Sequence, residues 1–429
     1  MQKSLRIPVR ELLILLSVAA IWFPSVQLPL GPVRLNFTEL CLAALAPIVL
    51  VARTHRLQVS KGTLLSLLAF LWLATLSIIQ LMYVEDVRAS LRMALWFVLC
   101  FVFILTVVGA PDRPRLIARS VYTFIIAGSI SMLISNLDYF ASILGGRTIL
   151  EIGNRSAGFF QHPNQYAIWI GSFLPVVLLV VKRLSVLVLL ASNALVALLL
   201  TGSKFNIFLA ALLLCLCIAV RMRSGLRASV LSIFAVGVSL AFFSSILDFL
   251  FRAMEAVNPK YSAAFRAVIE TPTESQTFLA RMSLWREAMD YGLDNPVTGI
   301  GGGQAYLVLQ RGIPHAHNLE MHYFMTYGLL GLSGLLVIFL VTFVYGLKGK
   351  THQNYEYRLK YALLISIGAI FISNQSSDSL AGQQILLLGI LVGFVLSAAE
   401  VRLDASRADK LPSTSEPMVE MDHPLTMRS

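Results

Sequence analysis

Stretches of about twenty apolar residues, separated by short polar breaks, recur along most of this chain and leave few folds open to it. A bilayer core ~30 Å thick takes about twenty apolar residues per helix. Inside that core every backbone polar group must be bonded within the protein. About twelve windows meet the criterion, at 9–29, 35–52, 63–82, 91–110, 116–143, 164–181, 184–201, 204–220, 228–250, 319–347, 359–377 and 383–400. With 57% hydrophobic and 13% charged residues the composition lies far from that of a soluble domain. The expected fold is all-α: a polytopic membrane protein of about twelve transmembrane helices with one long loop.

The loops give the expected sidedness. With the N-terminus inside, 22 of the 34 lysines and arginines fall on inner segments, and half of the rest lie in the long loop 251–318, where charge has little say in orientation. Both termini are thus predicted to face the cytoplasm and loop 251–318 the periplasm. The net charge of +11 then reflects anchoring to anionic membrane lipids and implies no nucleic-acid partner. Cys41, Cys100, Cys215 and Cys217 all fall inside predicted spans, where they read as small buried residues with no disulfide or zinc pattern. Residues 1–400 are expected to form a single transmembrane domain, with no internal repeat, and the polar stretch 401–429 a disordered cytoplasmic tail.

Loop 251–318 carries its own signals. Phe278, Met282, Trp285 and Met289 recur at helical spacing, predicting an amphipathic helix that rests on the membrane or on other helices. That helix should stop near Gly292, and Asp294-Asn295-Pro296 should turn the chain. The run Gly299-Ile300-Gly301-Gly302-Gly303 follows and allows close backbone approach. It lacks the preceding strand and later acid of a dinucleotide fingerprint. Pro314-His315-Ala316-His317-Asn318 then ends the loop and meets the apolar run that begins at Leu319, so imidazoles sit at a membrane surface.

Polar side chains at helix ends are costly in lipid unless they face a cavity or a partner. Arg147 and Arg155, with His162, lie in the loop between the fifth and sixth windows. Thr201-Gly202-Ser203-Lys204 makes a tight outer turn, and Arg281 and Arg286 sit on the loop helix. Together these cations suit a pyrophosphate, since arginine binds phosphate oxygens as a fork and lysine supplies a point charge. The other use of such residues is anchoring to lipid head groups, which fits Arg252, Lys260, Arg266 and Arg311 better. His317, and less directly His315, can accept a proton near neutral pH, while Asn318 can orient a sugar or an imidazole. The acids of the outer loops have no ligand spacing to these histidines, so no metal is expected.

At these residues the sequence resembles the O-antigen ligase and polymerase superfamily. The family's pattern of His, then Asn, Ser or Gln, nine residues, Gly, two residues and Gly, Thr or Tyr is filled by His317-Asn318, Gly328 and Gly331. The segment from Arg281 through Trp285, Ala288, Pro296 and Gly299 to Gly301 is similar to the one preceding that motif. Phe159-Phe160-Gln161-His162-Pro163-Asn164 resembles its shorter loop motif. Thr201-Gly202-Ser203-Lys204 resembles a turn that usually ends in arginine, and lysine there keeps the charge but loses the fork.

The resemblance implies a GT-C-like membrane glycosyltransferase acting on undecaprenyl-pyrophosphate-linked glycan. It needs no cofactor and sits in the bacterial inner membrane, with its active site on the periplasmic face. His317 would be the catalytic base. Arg147, Arg155, Lys204, Arg281 and Arg286 would bind pyrophosphate, and His315, Asn318 and His162 would bind or orient sugar. The intact His-Asn motif and modest length favour a ligase that uses lipid A core as acceptor. Polymerisation of O-antigen repeats and transfer to protein are the rival activities. Polymerases carry arginine, ten residues and glycine in two outer loops, a spacing met by Arg147 to Gly158 and Arg281 to Gly292, but glycine is common enough for chance to supply both. A lipid-linked glycan flippase or transporter is the non-enzymatic alternative; it would need charges spread through its spans, whereas here they lie at helix ends.

Overall fold

The structure is a computed structural model that describes residues 8–30, 33–51, 59–143, 150–152, 155–222, 252, 255, 276–348, 354–375, 380 and 382–408. The described chain is all-helical apart from one small hairpin. Its helices are α1 (Val9–Ala20), α2 (Phe37–Val51), α3 (Lys61–Gln80), α4 (Val87–Val108), α5 (Arg113–Ile143), α6 (Pro163–Val180), α7 (Leu184–Leu200), α8 (Lys204–Met222), α9 (Gln276–Asp294), the single turn α10 (Ala305–Val308), α11 (Leu319–Leu347), α12 (Asn354–Ser373) and α13 (Gln383–Ala408). Seven of them, α3, α4, α5, α6, α8, α11 and α13, are long and apolar enough to cross a membrane. The protein is thus a multi-pass membrane protein. The expected count of about twelve rests for the remainder on shorter or more polar helices, and the window 228–250 lies outside the described residues.

Two expected boundaries are corrected. The first window, 9–29, is not one helix: α1 ends at Ala20, and Gln27–Leu30 pairs antiparallel with Val33–Asn36, Gln27 opposite Asn36. Pro24 and Pro29 remove two backbone donors that a continuing helix would need. Asn36 and Glu39 then start α2 with a reciprocal cap. Asn36 Oδ1 accepts from the Glu39 N–H and Glu39 Oε2 accepts from the Asn36 N–H, both at 2.9 Å. At the other end, α13 runs on to Ala408 and so enters the stretch expected to be disordered from 401. Arg402 ties it down by donating from Nη2 to the Gly346 carbonyl at 3.0 Å. Residues 409–429 lie outside the described residues.

The core is built by α3, α4, α6, α11, α12 and α13, which pack side by side. Lipid offers no hydrophobic drive between apolar helices, so small residues that let backbones close up carry the packing. On α13 the glycines face α4, Gly389 against Cys100 and Gly393 against Phe103. Buried Glu400 of α13 accepts from the Ser60 N–H at 2.7 Å and the Thr63 hydroxyl at 2.6 Å, fixing the start of α3.

The loop before α11 is sewn into that helix. Gly328 has φ 63° and breaks α11. The Leu329 N–H therefore donates to Pro296 O (2.8 Å) and the Leu330 N–H to Val297 O (3.3 Å), while the Met325 and Thr326 carbonyls accept from the N–H groups of Ile300 and Gly301, both at 2.9 Å. An unbroken helix would pair 325 with 329 and 326 with 330. The loop thus takes over the bonds that the break releases, as buried backbone groups require. Gln80 of α3 completes the clamp by donating to Thr298 O (2.6 Å) and Thr326 O (2.8 Å) and accepting from the Gly302 N–H (2.8 Å). The turn before α4 grips the same loop: the Gln304 amide takes the Asp86 N–H at 2.9 Å and donates to its carbonyl at 2.8 Å. The Tyr306 hydroxyl beside Asp86 holds that carboxyl below its usual range.

At Gly328 any side chain would run into the backbone of Val297 and Thr298. Gly328→Ala combines that overlap with a left-handed conformation worth ~1–2 kcal/mol against an L-residue. It is expected to lower the melting temperature of the purified protein clearly, whereas Gly312→Ala, also left-handed (φ 64°) but with no overlapping atom, should shift it less.

Candidate functional site

His317 is the one non-glycine residue with positive φ, 54°, among the described residues. Its neighbours hold it there. Ala316 is fully buried in a small core with Leu284 and Ala288 of α9, Ala305 and Leu309 of the α10 turn, and Met325 of α11. On the other side Asn318 caps α11, its Oδ1 accepting from the Met321 N–H at 3.0 Å, and Leu319 is fully buried. Anchored on both sides, the backbone must turn sharply at His317, a strained conformation of the kind that persists where surroundings over-determine it. The His315 and His317 rings stand edge to face with centroids 4.6 Å apart. His322, one turn into α11, is buried.

Asn318 is itself oriented. Its amide donates to Gln375 Oε1 at 3.4 Å, and the Gln375 amide donates to Glu320 Oε1 at 2.9 Å. A carboxylate accepts only, so Glu320 fixes which way the Gln375 amide points. Gln375 in turn fixes Asn318, whose oxygen is then free to cap α11. Glu320 and Gln375 are absent from the sequence reading. The available signal was the polar run that follows Ser373 at the outer end of the 359–377 window.

The cations gather at a second point. Arg155 donates from Nε to the Thr201 carbonyl at 2.5 Å and from Nη2 to Asn164 Oδ1 at 3.0 Å, so the short loop before α6 docks on the turn between α7 and α8. Lys204 opens α8 on that same turn and lies within electrostatic range of both Arg155 and Arg281. Like charges held together repel, and an anion among them relieves that cost. His162 lies at the start of α6, where its Nδ1 accepts from the Asn164 N–H at 3.2 Å. It therefore acts on Asn164, the partner of Arg155.

The two groups converge on the end of α12. The Ser373 hydroxyl donates to Asn206 Oδ1 at 2.7 Å, and the Asn206 amide donates to Ser203 Oγ at 2.9 Å, next to Lys204. Two residues beyond Ser373, Gln375 holds Asn318. A single helix end thus joins the cation cluster to the His-Asn motif.

Not every expected residue joins them. Arg286, roughly 140° around α9 from Arg281, is exposed. Arg147 lies outside the described residues. The expected apolar stripe of α9 is also redistributed: Met282 and Met289 are exposed, while Leu284 and Ala288 face the protein. Gly292 lies against the Phe324 ring, so packing accounts for that glycine. Among the described residues no three of His, Cys, Asp and Glu are grouped as metal ligands.

Residues 184–336 match the family model described as O-antigen ligase. No curated protein matches the chain. The matched segment holds Lys204, Arg281 and His317 together with Gly328 and Gly331, while Arg155 and Gln375 lie outside it. Over residues 184–336 the chain is thus similar to the O-antigen ligase family, a similarity that suggests activity of the ligase or polymerase type on a lipid-linked glycan.

Proposed function

We propose that the protein is an O-antigen ligase. It transfers polymeric glycan from undecaprenyl pyrophosphate to a sugar hydroxyl of lipid A core, on the periplasmic face of the bacterial inner membrane. The observation that carries this reading is the strained His317, held beside a capped and oriented Asn318 and joined through the end of α12 to Arg155, Lys204 and Arg281. A proton acceptor and an anion site are the two parts this transfer requires.

In the proposed reaction the acceptor oxygen attacks the anomeric carbon and forms the new glycosidic bond. The bond from that carbon to pyrophosphate breaks, and its electron pair leaves with the pyrophosphate. An imidazole nitrogen of His317 takes the hydroxyl proton. Arg155, Lys204 and Arg281, joined by Arg147, stabilise the charge that grows on the leaving group, the largest contribution such a site can make. Attack from the face opposite the pyrophosphate inverts the anomeric centre. His315 and Asn318 orient the sugar, and Gln375 and Glu320 act as positioning residues behind Asn318.

His317→Ala is expected to abolish glycan transfer while leaving the protein in the membrane; undiminished ligation would remove His317 from the role of base. Because the position is left-handed, His317→Gly should be equally inactive yet melt higher than His317→Ala, by ~1 kcal/mol of stability. Arg281→Lys should cost activity although charge is kept, since the fork is lost, and a silent change would count against pyrophosphate contact there. Gln375→Leu should slow transfer on the order of tenfold or more by loosening Asn318, with unchanged protein abundance as the control.

A further inference from the structure

The helix ends remote from His317 carry a second, separate constellation, at the end of the bundle that the loop charges predict to be cytoplasmic. Arg358, near the start of α12, lies roughly 25 Å along that helix from Gln375. Arg221, in the last turn of α8, donates to the Leu178 carbonyl of α6 at 2.7 Å and lies within electrostatic range of Arg358. Lys182, just past the end of α6, stands 5.8 Å over the Tyr355 ring, and Tyr122 of α5 adjoins the same tyrosine. Three cations and two tyrosines from four helices therefore meet. Glu356, the acid of the first turn of α12, acts on Arg402.

Two donors in this group, Arg358 Nε and the Tyr355 hydroxyl, are buried with no hydrogen-bond partner among the described residues. Buried donors are satisfied in nearly all native proteins, so each such pair asks for an acceptor. The acceptor must also be anionic, because guanidinium groups brought together repel until a negative charge enters between them. Its attachment is apolar on one side: Tyr122, Ile126 and Leu184, on the flanking helices α5 and α7, are all exposed apolar side chains.

We propose that Arg221, Arg358, Lys182 and Tyr355 form a binding site for the phosphodiester headgroup of an anionic phospholipid, whose acyl chains lie along α5 and α7. Basic pockets between helix ends are a recognised setting for such headgroups. The site does not depend on the transfer reaction, and its occupant is a structural lipid rather than the glycan carrier.

The test is thermal unfolding of the purified full-length protein in detergent with added phosphatidylglycerol, phosphatidylcholine or inorganic phosphate. Phosphatidylglycerol is expected to raise the melting temperature, and the other two are not. Arg358→Gln and Tyr355→Phe should each lose that rise. Tyr355→Phe removes one unpartnered hydroxyl and so keeps the comparison valid if Arg358→Gln folds poorly. An equal rise with phosphatidylcholine, or a phosphatidylglycerol rise that survives both substitutions, would overturn the site. A rise with inorganic phosphate alone would overturn the lipid as its source. Because the readout is stability, its failure is distinct from failure of the proposed ligase activity.

Discussion

The exchange of backbone hydrogen bonds at Gly328 is the interaction on which the site's geometry depends. An unbroken α11 would satisfy its own carbonyls and leave the glycine-rich loop with unpaired groups at the membrane boundary. The break instead exposes Met325 O, Thr326 O and the N–H groups of Leu329 and Leu330, and residues 296–301 occupy all four. Such non-helical backbone is tolerated at membrane depth only where protein covers it, here by α3 through Gln80 and by the turn before α4 through Gln304. The loop then cannot shift without undoing α11, and the residues that follow it, up to His317 and Asn318, inherit that rigidity. The spacing from His317-Asn318 to Gly328 and Gly331 thus has a physical meaning. The first pair starts the helix, Gly328 breaks it, and Gly331 lies so close beneath Tyr327 that a side chain would overlap it.

A second economy lies in α12. Its C-terminal end, Ser373 to Gln375, touches both the α8 turn and the α11 cap, so positions of the cation cluster and the histidine are set by one element. Its N-terminal end carries Tyr355 and Arg358. One rigid helix therefore connects the candidate catalytic face to the proposed lipid site, and the binding energy of that lipid would act on an element that the catalytic face shares.

Much of this was legible in the sequence because hydropathy and charge report directly on lipid. The windows 63–82 and 319–347 correspond to α3 and α11, and Lys204, Arg281, His317 and Asn318 stood out as polar groups at apolar boundaries. The first window failed because a hydropathy sum does not register that Pro24 and Pro29 break the backbone ladder, so a helix and a hairpin were merged. Arg281 and Arg286 look alike as residue types; the fold puts Arg281 within electrostatic range of Lys204 and leaves Arg286 exposed. Gln375 escaped notice because a neutral amide at a helix end carries little signal, and its value lies in the direction that Glu320 imposes on it. The strain at His317 is likewise invisible until Ala316 and Leu319 are seen to be pinned.

His317 and the cations are proposed to serve transfer of glycan from a polyprenyl pyrophosphate to lipid A core. The most direct measurement is reconstitution of the purified protein with polyprenyl-pyrophosphate-linked glycan, with and without lipid A core, reading the glycan products by gel mobility. Glycan is expected to become joined to core with release of free polyprenyl pyrophosphate, and nothing should change when core is left out. Chain growth without core would mark a polymerase instead, and translocation with no new glycosidic bond would contradict the enzymatic reading altogether.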